Sequence, residues 1–133
     1  MNRYIDTHPH LFVEEFDGDR AEAVERAMEA GVTKLCLPCI KSSSVEPIMQ
    51  MCAAYPGVCF PMIGLHPTDV PDNADATLSE MKQLLENPKH PFIAIGEVGI
   101  DLIHWCMVGH NGGAVPVGVP FFAGGFGRLQ GGS

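Results

Sequence analysis

The chain has 133 residues, 46% of them hydrophobic, and a formal net charge of −8, which suits one globular domain with a real core. An acidic chain has no basic footprint for holding nucleic acid by its phosphates, so a phosphate-bearing substrate would need a local cation, which a metal can supply. No apolar run reaches the roughly 20 residues that cross a bilayer. No secretory leader precedes Arg3-Tyr4-Ile5-Asp6, and the five cysteines are odd in number. The expectation is a reduced cytoplasmic chain, with the nucleus as the alternative, and no membrane partner.

Four short apolar runs read as buried strands: Tyr4–Thr7, Val32–Leu37, Val58–Gly64 and Phe92–Glu97. Helical spacing fills the gaps. Over Arg20–Ala30, Ala23, Val24, Ala27 and Met28 share a face and Gly31 is the stop. Over Ser44–Ala54, Ser44 is the cap, Pro47 sits in the first turn, and Ile48, Met51 and Cys52 share a face. Tyr55-Pro56-Gly57 ends that helix. Over Ala76–Glu86, Leu78, Met81, Leu84 and Leu85 share a face, with Pro88 beyond the end. Before the first helix, the acidic run Glu14–Asp19 reads as a solvated loop and a helix-start signal. The order β-α-β-α-β-α-β, with a strand about every 30 residues, implies an α/β fold with a parallel sheet.

Residues 107–133 differ from the rest. They hold nine glycines, two prolines and a single charge, Arg128, with no helical or alternating period. Glycine costs the most to order and offers no side chain to bury, so this segment is expected to be a poorly ordered tail. The organisation expected is therefore a β/α unit array over 1–106 and a glycine-rich tail over 107–133.

Three polar motifs each follow an apolar strand: His8-Pro9-His10, Gly64-Leu65-His66-Pro67, and Gly96-Glu97-Val98-Gly99-Ile100-Asp101. Ligands of parallel α/β folds bind at the carboxyl ends of strands. Residues two apart on an extended chain point the same way, so His8 and His10 can share one cation. Surface histidines would satisfy the same spacing; Asp6 before them and Glu97 at another strand end favour the metal reading. Glu97 would complete a mixed nitrogen and oxygen shell, and flanking glycines would let its backbone come close to a ligand. Asp101 either holds a water or a substrate proton, or only caps the next segment. His66 is either a turn residue bonded to backbone, or a residue that supports the metal ligands or contacts substrate phosphate. Cys36-Leu37-Pro38-Cys39 spells a redox motif, but its first cysteine falls inside a strand, where core packing is the simpler state.

These motifs resemble a known family. Ile5-Asp6-Thr7-His8-Pro9-His10-Leu11 resembles the opening strand of the TatD-related deoxyribonucleases, which belong to the amidohydrolase-like barrels. Gly64-Leu65-His66-Pro67 and Ile95-Gly96-Glu97-Val98-Gly99-Ile100-Asp101 resemble that family's next two signatures, in order. The family usually carries cysteine or another small residue where Pro9 stands. The resemblance covers roughly residues 1–105. It implies the N-terminal half of a TIM-type (β/α)8 barrel with one or two divalent ions, magnesium, manganese or zinc, at the strand ends. His8, His10 and Glu97 would be metal ligands, Glu97 and Asp101 the catalytic carboxylates, and His66 a substrate contact. The implied activity is cleavage of DNA phosphodiester bonds by a metal-activated water.

A complete barrel of this kind takes about 250 residues, and four strands supply half of one. The family's later ligands, two histidines and an aspartate, have no counterpart here. The chain therefore reads as a truncated family member. The alternative function is a catalytically incompetent fragment or isoform. It would bind through its sheet edges, to a second copy or to a complementary half-barrel. A thiol redox module built on Cys36 and Cys39 is a third reading.

Overall fold

Alternation of side chains builds the sheet. Along β2 (Val32–Leu37), Leu35 and Leu37 are buried, and along β3 (Cys59–Ile63), Cys59, Pro61 and Ile63 are buried. Those residues point to one face, as a period of two requires. Helices α1 (Arg20–Glu29), α2 (Val45–Ala54) and α3 (Ala74–Glu86) contribute Val24, Ile48, Met51 and Met81 to the same core. Fully burying an aliphatic side chain of this size stabilises by about 1.5–3 kcal/mol, so these few contacts fix which face the helices cover. The computed structural model describes residues 2–99. Asp101 and the glycine-rich segment 107–133 lie outside those residues.

Strand β1 (Tyr4–Asp6) pairs with β2, β2 with β3, and β3 with β4 (Ala94–Ile95), all parallel and in chain order. Each strand follows its predecessor after one helix, the arrangement the element order predicts. The three strand ends that carry polar motifs therefore lie on one side.

Three local expectations are corrected. β1 is not buried: Tyr4 is 51% and Ile5 60% exposed. Among the described residues it is an edge strand paired on one side only, and α1 packs mainly on β2. Ser44 does not cap α2 with its side chain. Its backbone is already helical, and its hydroxyl accepts a 3.4 Å bond from the Lys41 amide of a preceding 3-10 turn. The acidic run is not all loop, since Glu14–Phe16 forms a 3-10 turn before α1.

Arg20 explains that turn. Its Nε donates to the Leu11 carbonyl at 2.7 Å, and Nη2 donates to the carbonyls of Phe12 (3.3 Å) and Val13 (2.9 Å) and to Asp17 Oδ1 (2.6 Å). One guanidinium thus satisfies the Leu11 and Phe12 carbonyls and adds a second donor to the Val13 carbonyl, which also accepts the Phe16 amide. At the other end of α1, Gly31 adopts φ +97°, and a Cβ there would lie 2.7 Å from the Asn2 carbonyl oxygen. Glycine is required at that stop, as its position in the sequence suggests.

Candidate metal centre

Glu97 lies two residues past β4, and three histidines converge on its carboxylate. His8 Nε2 is 3.1 Å and His10 Nε2 3.4 Å from Oε2; His66 Nε2 is 3.1 Å from Oε1. The His8 and His10 rings meet edge to face with centroids 4.9 Å apart. The strand ends thus bring together four of the five residues the sequence singles out. The fifth, Asp101, is outside the described residues, as are His104 and His110.

Backbone contacts hold Glu97 there. Beyond β2, the Cys39 amide donates to the Gly96 carbonyl (2.8 Å) and the Glu97 amide donates to the Cys39 carbonyl (2.9 Å). Gly96 also donates to Ile63 of β3 (2.9 Å). This ladder runs directly over Gly64. A Cβ at Gly64 would sit 2.6 Å from the Glu97 carbonyl oxygen and 2.8 Å from its nitrogen. The glycine that permits close approach is therefore Gly64, not Gly96, whose added Cβ would meet only the Met62 side chain at ordinary contact.

The histidines are anchored from both sides. Asp6 Oδ1 accepts the His8 amide at 3.0 Å, so Asp6 shapes the turn out of β1. The His10 ring packs edge-on against buried Phe12, centroids 5.7 Å apart, inside the loop that Arg20 clamps. Burial pushes the His10 pKa below its ordinary value, and the nearby His8 and His66 add to this against the opposing pull of Glu97. A neutral imidazole is the form that ligates metal.

The donor set fits a divalent ion. Nitrogens of His8 and His10 and an oxygen of Glu97 lie within 4.8 Å of one another. Two ligands about 2.0–2.1 Å from one tetrahedral ion stand roughly 3.3 Å apart, which matches the 3.1 and 3.4 Å separations about Oε2. Imidazole with carboxylate suits zinc or manganese. His10 Nδ1 is buried and has no partner among the described residues.

Other candidates fare worse. Cys39 is fully buried, its thiol donates to the Lys41 carbonyl, and burial raises the pKa of both Cys36 and Cys39. A raised pKa disfavours the thiolate that redox chemistry needs. An open groove of about 570 Å3 beside Arg20 and Tyr55 shares no residue with the carboxylate cluster. Cys39, which the sequence marks for its thiol, contributes through its backbone instead, and residues that the sequence did not mark also contribute: Arg20 through the loop and Thr68 beside His66. Only the glycine at position 64 gave a readable signal.

Comparison with known proteins agrees with this geometry. A family model described as TatD related DNase matches residues 5–110. The Escherichia coli protein described as uncharacterized metal-dependent hydrolase YjjV is 32% identical over 100 residues, covering 75% of this chain and 38% of its own length. Human deoxyribonuclease TATDN3 is 36% identical over 103 residues, 73% of this chain and 38% of its own. The crystal structure of the E. coli YjjV protein, a TatD homolog, superposes with a TM-score of 0.67, covering 76% of this chain and 39% of that one. The parallel four-stranded sheet with its helices is thus a half-barrel like the corresponding part of that structure. The chain spans about two fifths of the length of the curated relatives it matches.

Proposed function

The chain belongs to the TatD-related DNase family, and from that membership we propose that it is the ligand-bearing half of a metal-dependent hydrolase that cleaves phosphodiester bonds of DNA. The observation that carries this reading is the convergence of His8 and His10 on one oxygen of Glu97. Magnesium, manganese or zinc is the ion proposed. When bound, a divalent ion supplies Lewis acidity and acidifies a water for attack on phosphorus. The residues of this chain have simpler tasks. His8 and His10 give ring nitrogens, Glu97 gives a carboxylate oxygen, and His66 borders the same space as the proposed substrate contact. Asp101 is proposed as a second catalytic carboxylate that accepts a proton. Free cysteines at 36, 39, 52 and 59 fit a reducing compartment, the cytoplasm or nucleus. No helix among the described residues is long and apolar enough to cross a membrane.

A second reading has its own support. Among the described residues β1 and β4 are the sheet's two edges, and Tyr4, Ile5 and Ile93 on or beside them are half or more exposed. Such edges suit pairing with a second copy or with a complementary half-barrel, so turnover would depend on assembly. Nuclease assays on single-stranded and duplex DNA, with manganese or with chelator, run across the fractions of a size-exclusion column, test both. Chelator-sensitive cleavage in any fraction supports the hydrolase. Cleavage confined to oligomeric fractions supports dependence on assembly. No cleavage in any fraction at any metal concentration refutes turnover by this chain.

A further inference from the structure

We infer that Thr68 fixes His66 as the tautomer with hydrogen on Nε2, which turns an N–H and not a lone pair toward the Glu97 carboxylate and makes His66 a support for Glu97 and not a metal ligand.

The turn after β3 carries the argument. The His66 amide donates to the Ile40 carbonyl (2.7 Å), and the Asp69 amide donates back to the His66 carbonyl (3.0 Å). This closed turn places the Thr68 amide 3.1 Å from His66 Nδ1, with its hydrogen directed at the ring. The Thr68 hydroxyl lies 2.7 Å from the same nitrogen and 3.1 Å from Asp69 Oδ2. The hydroxyl rotates and can donate either way, so it decides nothing. The amide hydrogen cannot rotate, because the peptide plane fixes it. Nδ1 must therefore offer a lone pair, and the hydrogen of a neutral imidazole falls on Nε2.

The Nε2 that carries this hydrogen lies 3.1 Å from Glu97 Oε1. At that distance an N–H is attracted to a carboxylate, whereas a bare ring nitrogen would repel it. The carboxylate is divided: Oε1 lies beside His66, and Oε2 faces His8 and His10. A protonated Nε2 has no lone pair to give a cation, so the third histidine at the cluster does not join the ligand shell through that atom. Thr68 is then a positioning residue acting through His66, and Lys41, 3.9 Å from Asp69, closes the outer end of the chain of contacts. The consequence for Glu97 rests on the metal-centre reading; the tautomer does not.

Two-bond 1H–15N correlation spectra of the metal-free, 15N-labelled protein at pH 8 test the tautomer directly, with the His66 signals identified by their loss in His66→Gln. The expected result is a bare Nδ1 and a protonated Nε2. The reverse tautomer, an imidazolium, or an averaged mixture would each overturn the inference. The positioning role is tested by Mn2+ titration of two variants. Gln carries its amide donor near the place of Nε2 and Asn near that of Nδ1. His66→Gln is expected to bind Mn2+ at least about tenfold more tightly than His66→Asn, the size of effect that partners of metal ligands show. Equal affinities would remove the positioning role. Absence of Mn2+ binding by the unmodified protein would instead count against the metal centre and leave the tautomer standing on its own spectrum.

Discussion

Glu97 and Gly64 are in backbone contact: no Cβ fits at residue 64 without displacing the Glu97 peptide, whose carbonyl oxygen would lie 2.6 Å from it. The position of the central carboxylate therefore depends on a residue that has no side chain.

Gly64→Ala should shift the Glu97 peptide and weaken Mn2+ binding by about tenfold or more, in the range seen when the supports of metal ligands are altered. Gly18, with nothing within 4 Å of an added Cβ, is the matched control, and Gly18→Ala should bind as the parent does. Mn2+ titration followed by electron paramagnetic resonance checks both.

Arg20 should be a stability residue despite its charge. Arg20→Ala leaves the carbonyls of Leu11 and Phe12 without their side-chain donor and Val13 with the Phe16 amide alone, and orphaned groups of this kind cost about 1–3 kcal/mol each when buried. A loss of roughly 2 kcal/mol is expected, read as a lower urea midpoint with unchanged slope. Arg20→Lys should recover only part of it, because an ammonium lacks the planar fork that spans three acceptors.

The legible part of the fold is the part with period. β2, β3, α1 and α2 follow their apolar spacing to within a residue or two, and Gly31 ends α1 where a left-handed stop was expected. His8, His10, His66 and Glu97 were readable because strand ends of a parallel sheet share a side. What was not readable depends on contacts distant in sequence or on hydrogen bonds without residue preference. The exposure of Ile5 follows from edge placement, which an apolar strand pattern does not encode. The bonds from Cys39 to Gly96 and Glu97 are main-chain bonds that many residues could make. Ser44 carried a cap signal, yet the 3-10 turn in front of it took over the cap's place.

Core and edge apolar residues should respond differently. Ile48→Ala removes a fully buried side chain and should cost about 2–5 kcal/mol. Ile5, 60% exposed, should tolerate alanine within about 0.5 kcal/mol. Urea denaturation of the two variants at a concentration where the chain is monomeric makes the comparison.

Cys52 and Cys59 have thiols that burial pushes up to about 11. At pH 8 their thiolate fraction is on the order of one in a thousand, so neither should react with an alkylating reagent until urea unfolds the chain. The unfolded thiols titrate near 9, so between that value and about 11 the folded state binds more protons. Stability from these groups is complete below pH 9 and is lost as pH rises through 11. Thiol counting by mass spectrometry, native against unfolded, and denaturation at pH 8 and 10 check the two statements.

Calorimetric titration of Mn2+ and Zn2+ into the parent chain and into the His8→Ala, His10→Ala, Glu97→Ala triple variant tests the central claim most directly. The account predicts binding by the parent and its loss in the triple variant, with folding confirmed by circular dichroism. Equal affinity in the two proteins would contradict it.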